Sequence, residues 1–182
     1  MAAGPPSTVA VFGSSQTQPS EPDYVAAIRC GRLLAESGFQ VATGGYAGTM
    51  EAVSRGAATA GGTVIAATAP DLFPGRSGAN EWAHIEWPQP TLSRRIGQLL
   101  DISVASIALP GSIGTLTELI VAWNGSFIET LSQRPPRPVI AVGEQWANLI
   151  AHIAAEVDSV VELVTRVDSV DDAVAAVIAQ TR

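Results

Sequence analysis

Three glycine turns punctuate this chain, at Gly13, at Gly44 to Gly48 and at Gly111 to Gly114. Each follows a short apolar run and precedes a stretch with helical periodicity. Repeated strand, turn and helix units bury their apolar faces together when the strands run parallel and the helices cover both sides of the sheet. The pattern therefore predicts an α/β chain with a doubly wound parallel sheet, and it puts all three turns at the carboxyl edge of the strands, where open α/β sheets bind ligands.

The units are read as strands over Thr8 to Phe12, Phe39 to Thr43, Thr63 to Ala67, Val104 to Leu109 and Pro138 to Val142. Between them lie helices from about Asp23 to Ser37, Met50 to Ala60, Thr91 to Ile102 and Ile113 to Thr130, and the small residues of the second suit close packing against a sheet. Two further helical stretches, Trp146 to Glu156 and Val170 to Ala179, flank an apolar run at Val160 to Val164. The segment from Thr68 to Pro90 holds Pro70, Pro74, Pro88 and Pro90 with Trp82 and Trp87, a composition expected of an irregular lid over the edge of the sheet. With 182 residues, 47% of them hydrophobic and 15% charged, one three-layer domain over the whole length is expected, its first seven residues flexible.

Ten basic groups against seventeen acidic ones give a net charge of −7, which argues against a nucleic-acid partner. Every basic side chain is arginine, so a lysine Schiff base and a P-loop lysine are both excluded. Cys30 is the single cysteine and His84 and His152 are the only histidines, which leaves neither a disulfide nor a structural zinc site to expect. The apolar runs are too short to span a membrane and Met1 to Ser7 lacks the features of a signal peptide, so the expected location is the cytoplasm.

Glycines at a strand-to-helix turn let the backbone approach a ligand, and the free amides of the helix start face an anion. Gly13, Gly44, Gly45, Gly48, Gly111 and Gly114 are accordingly candidates for binding a nucleotide or sugar phosphate, with Ser112 and Thr115 beside the last turn. None of the turns matches G-x-G-x-x-G, which disfavours a dinucleotide and an NAD-dependent oxidoreductase. Ser14 and Ser15 can cap the first helix or donate to a phosphate. Arg94 and Arg95 open a helix where cations meet an unfavourable dipole, which a bound anion would justify and a solvated face would also explain. Thr115-Leu-Thr-Glu118 fits a capping box, so Glu118 is either a reactive carboxylate or a local helix cap. Trp123 and Phe127 read first as core and second as a helix-to-helix dimer contact.

Val11-Phe-Gly-Ser-Ser15, Gly44-Gly-Tyr-Ala-Gly-Thr-Met-Glu51 and Pro110-Gly-Ser-Ile-Gly-Thr-Leu-Thr-Glu118 resemble the Lonely Guy family, long mislabelled as lysine decarboxylases. The resemblance runs from about Thr8 to Val142. It implies a Rossmann-like fold, a homodimer, and hydrolysis of nucleoside 5′-monophosphates, cytokinin ribotides among them, to free base and ribose 5-phosphate with no cofactor or metal. By position it makes Arg95 and Glu118 the catalytic pair, while Thr49, which ends the second glycine turn, joins the phosphate-binding candidates on its place in that turn. Glu118 would stabilise the positive charge that builds on the ribose as the base departs. Three positions differ from the family pattern: Ser112 replaces the second glycine of the signature, Ile96 a common lysine, and Thr49 a leucine. Those at Ser112 and Ile96 sustain an alternative, a binding or carrier protein that uses the same anion cradle without turnover, as the related molybdenum-cofactor carriers do.

Overall fold

A computed structural model describes residues 7–73, 75, 78–157 and 160–182. The first six residues and Pro74 of the expected lid lie outside the described residues. Among the described residues, seven strands form one fully parallel sheet: β1 Thr8–Phe12, β2 Gln40–Thr43, β3 Val64–Thr68, β4 Ile85–Pro88, β5 Ser103–Ala108, β6 Val139–Val142 and β7 Val164–Val167. Their order is β4-β3-β2-β1-β5-β6-β7, so the direction of winding reverses between β1 and β5. The helices are α1 Pro22–Glu36, α2 Thr49–Thr59, α3 Leu92–Asp101, α4 Ile113–Leu131, α5 Glu144–Glu156 and α6 Val170–Thr181. This is the Rossmann-like three-layer sandwich that the glycine turns predict.

Successive side chains of a strand point to opposite faces, and the two cores divide accordingly. Val9 and Val11 of β1 join α1, α2 and α6 in one core, whereas Ala10 and Phe12 join α3, α4 and α5 in the other. The small residues of α2 pack against the sheet as expected, with Ala52, Val53 and Ala57 in the core of β1, β2 and β3, and they serve a second contact as well. A side chain at Gly56 would overlap the Ile28 carbonyl and one at Gly31 the Val53 carbonyl, so the two glycines let α1 and α2 pack backbone to backbone.

The segment 68–90 departs from the expected lid. It contains a 3-10 turn at Pro70–Leu72 and then β4, which pairs in parallel with β3 and closes one edge of the sheet. His84 reinforces that edge, its Nδ1 accepting the Val64 amide at 3.1 Å. An edge strand lying mostly in solvent carries no clear alternation of apolar and polar residues, and proline is tolerated there. The apolar run at Val160 to Val164 likewise splits into a 3-10 turn, Val161–Leu163, and the start of β7.

Candidate functional site

The turn between β5 and α4 builds the centre of the site. Ser112 is the N-cap of α4 in an extended conformation, and the Leu116 amide makes the helical bond back to its carbonyl at 3.0 Å. The amides of Ile113, Gly114 and Thr115 therefore belong to the first turn, where a helix has no internal acceptor for them. Because the helix starts at Ile113, Thr115 and Glu118 already lie inside it. The capping-box reading of Glu118 is overturned by that register, since a carboxylate six positions in is beyond the N-cap amide.

Gly111 has a different task from its neighbours. Its amide donates to Gln145 Oε1 at 3.2 Å and its carbonyl accepts Gln145 Nε2 at 2.8 Å, so α5 clamps the turn through one reciprocal pair. A side chain at Gly111 would overlap Thr115, whose hydroxyl is 1% exposed with its residue and has no hydrogen-bond partner among the described residues. A buried hydroxyl in that condition costs free energy unless something accepts from it or donates to it. An anion placed over the first turn of α4 would satisfy both the hydroxyl and the amides.

A cleft of about 210 Å³ opens at this turn. Of the expected residues it brings together Gly13, Ser15, Arg95, Ser112, Gly114, Thr115 and Glu118. Met50, Phe73, Leu92, Ile96 and Thr117 line it as well, and sequence reasoning did not select them for binding. Leu92 and Ile96 were findable, being the neighbours of Arg95 on one face of α3. Phe73 carried no such signal, because its position depends on the path of an irregular segment.

The remaining candidates do not line this cleft. Ser14 holds the first turn, its hydroxyl accepting the Gln16 amide and its carbonyl accepting the Thr49 amide at 2.8 Å. The cap of α1 falls instead to Glu21. Thr49 is buried, bonded to Thr17 across 3.0 Å, and lines a second cavity on the α1 side of the edge with Arg29 and Asp171. Gly45 and Gly48 take positive φ in the second turn. Gly44 leaves room for Arg95, since a side chain there would overlap the guanidinium. Arg94 points to solvent, and the Thr91 hydroxyl caps α3 by accepting the Arg94 amide.

Arg95 is 6% exposed and heavily committed. Its Nε donates to the Ala67 carbonyl at 2.8 Å and its Nη2 to the Gly44 carbonyl at 3.2 Å, so it ties together the ends of β2 and β3. The guanidinium lies over the Tyr46 ring, 5.6 Å from its centroid. Nη1 then reaches Glu118 Oε1 at 3.5 Å, an ion pair too long for a good hydrogen bond. Burial pushes the Glu118 carboxyl up to about 7, against the opposing pull of Arg95. At neutral pH this carboxyl is shared between its acid and carboxylate forms, and it can give or take a proton.

Fold and site together define the class: a Rossmann-like α/β protein with a helix start, a buried unpartnered hydroxyl and a buried Arg–Glu pair gathered at the switch point of its sheet. The chain matches the SLOG cluster4 family over residues 6–173 and belongs to it. The Lonely Guy resemblance holds at the level of the SLOG fold superfamily. An uncharacterized protein of Archaeoglobus fulgidus is 31% identical over 115 residues, which span 63% of this chain and 72% of that one. Among solved structures, the molybdenum cofactor carrier protein of Chlamydomonas reinhardtii is 23% identical with a TM-score of 0.76, covering 97% of this chain and 99% of that one. The molybdenum cofactor binding protein of Rippkaea orientalis is 22% identical with a TM-score of 0.77, covering 99% and 100%. DNA processing protein A of Streptococcus pneumoniae is similar over 93% of this chain and 61% of its own, at 20% identity and a TM-score of 0.62. At these identities the structural likenesses establish the fold.

Proposed function

We propose that this protein binds a phosphate-bearing small molecule of the nucleotide or molybdenum-cofactor type at the β5 to α4 turn and holds it without turnover. The observation that carries this reading is the buried, unpartnered Thr115 hydroxyl beside the first-turn amides of α4. Similarity to a carrier and a binding protein of the molybdenum cofactor supports the same direction. So does the commitment of Arg95 to two backbone carbonyls, which makes it a rivet of the cleft wall more than a free clamp for substrate. A cleft near 210 Å³ falls below the roughly 300–1,000 Å³ of most ligand pockets, which favours a mononucleotide-sized ligand over a dinucleotide. Calorimetric titration with ribose 5-phosphate and AMP, followed by product analysis after long incubation, tests it. Saturable binding with the ligand intact is the expected outcome, and release of free base from AMP would replace carriage with catalysis.

The second reading is hydrolysis of the N-glycosidic bond of a nucleoside 5′-monophosphate. Glu118 and Arg95 favour it, since they meet inside the cleft and the carboxyl can exchange a proton near neutrality. Glu118→Gln abolishing turnover while leaving binding intact would establish it.

For assembly, the proposal is a homodimer through α4. The two acidic groups of this helix, Glu118 and Glu129, both point inward, and Ile113, Ile120, Val121, Ile128 and Leu131 are exposed along its outer side. An uncharged apolar face is where two copies of charge −7 meet with least repulsion. The same charge disfavours nucleic acid as a partner. Light scattering on wild type and Ile128→Glu should give a dimer and a monomer, and a wild-type monomer would dispose of the idea.

A further inference from the structure

The cleft combines two chemistries: polar groups from the start of α4, from Ser15 and from Arg95, and an apolar set made of one aromatic ring, Phe73, with Met50, Leu92 and Ile96. We infer that Phe73 is the stacking platform for the flat heterocycle of the ligand, and so the residue that separates a nucleotide or pterin phosphate from a bare sugar phosphate. The inference rests on the phosphate-binding reading above and adds the ring.

Phe73 is half-buried in the wall of the cleft. It directly follows the 3-10 turn Pro70–Leu72, and its amide donates to the Pro70 carbonyl at 3.3 Å. Tyr46 meets its ring edge to face, the centroids 5.4 Å apart and the planes at 72°, which fixes the tilt of the Phe73 ring. Tyr46 is itself immobilised. It is 4% exposed, its hydroxyl accepts the Ala69 amide at 2.8 Å, and the Arg95 guanidinium covers it. The path from Arg95 through Tyr46 to Phe73 thus ties the aromatic wall to the same arginine that contacts Glu118. A ring braced on one side by Tyr46 before a ligand arrives loses less freedom on stacking than an unsupported one, and pre-organisation of that kind gains affinity. Every base presents a π-face, so such a platform selects flat rings as a class and tolerates differences at their edges.

The experiment titrates the full chain and its Phe73→Ala and Phe73→Trp variants with AMP, GMP and ribose 5-phosphate by calorimetry. The guanine ring shares its 2-amino-4-oxo pyrimidine half with a pterin. Wild type should bind both nucleotides more tightly than ribose 5-phosphate. Phe73→Ala should weaken the nucleotides by roughly ten- to hundredfold and ribose 5-phosphate by less than about twofold, with Phe73→Trp restoring nucleotide affinity. Equal losses for all three ligands would reduce Phe73 to a structural support, and no loss for any would remove it from the site. If wild type binds ribose 5-phosphate as tightly as AMP and GMP, this inference fails while phosphate binding stands. If it binds none of the three, both fall together.

Discussion

Glu118 and Glu129 sit on one helix, about three turns apart, each nearly buried and each beside an arginine, yet the two ends of α4 put them to opposite uses. Glu129 is fully engaged. Its Oε1 accepts Arg137 Nε at 2.7 Å and its Oε2 accepts the Arg137 amide at 2.8 Å, while the Ser126 hydroxyl donates to the Arg137 carbonyl. These bonds staple the Gln133 to Pro138 connector onto the helix and bring the chain into β6. Glu118 meets its arginine at 3.5 Å and borders a cleft, and burial raises its proton affinity to the neutral range. Charge and burial are nearly the same at the two positions. What differs is how many donors the fold supplies to each carboxylate, and that decides which one holds the chain together and which keeps chemical potential.

The widest gap between the two should appear on deletion. Glu129→Ala removes acceptors from two Arg137 donors and should cost about 2–3 kcal/mol in urea unfolding, discounted because Arg137 is partly exposed. Ligand affinity should stay unchanged in the folded fraction. A cost below about 1 kcal/mol would mean that the connector is held by other contacts.

Glu118 should instead show itself through pH. Its carboxyl is raised in the folded state from 4.5 to about 7, so the folded chain binds the extra proton between those values. The associated stability is complete below about pH 4.5 and is lost as pH climbs through 7, a total of at most about 3 kcal/mol. Glu118→Gln should flatten that decline, and thermal melts at pH 5 and pH 8 compare the two proteins directly. Parallel curves for both would show that Glu118 titrates as an ordinary surface carboxylate does.

Ligand binding sharpens the same contrast at about tenfold. Thr115→Val keeps the shape of the side chain and removes the unpartnered hydroxyl, so it should leave stability unchanged or raise it by about 1 kcal/mol. Affinity for ribose 5-phosphate should fall about tenfold, the worth of a hydrogen bond to a charged group. Undiminished affinity would move the anion away from α4.

The smallest effect concerns repulsion. Raising pH from 6 to 8 ionises Glu118 beside the bound anion and should weaken ribose 5-phosphate binding by several-fold more in wild type than in Glu118→Gln. Identical pH profiles would place the phosphate beyond the reach of that carboxylate.

Sequence alone determined the doubly wound sheet, because glycine turns after apolar runs and before helical periods admit few other arrangements. The turns at Gly13 and at Gly111 to Gly114, with Arg95 and Glu118, were legible as residues worth watching, since each combines an unusual residue type with a position at the sheet edge. Their division of labour was not. Whether Glu118 caps its helix depended on the register at which α4 starts, and whether the Gly111 amide is available depended on Gln145, far along the chain. β4 escaped notice because an exposed edge strand has little hydrophobic pattern, and Phe73 because nothing local aims an irregular segment at a cleft. Periodicity reports which way a side chain faces relative to its own element. Partners, desolvation and proton affinity arise between elements, and those only the assembled tertiary structure decided.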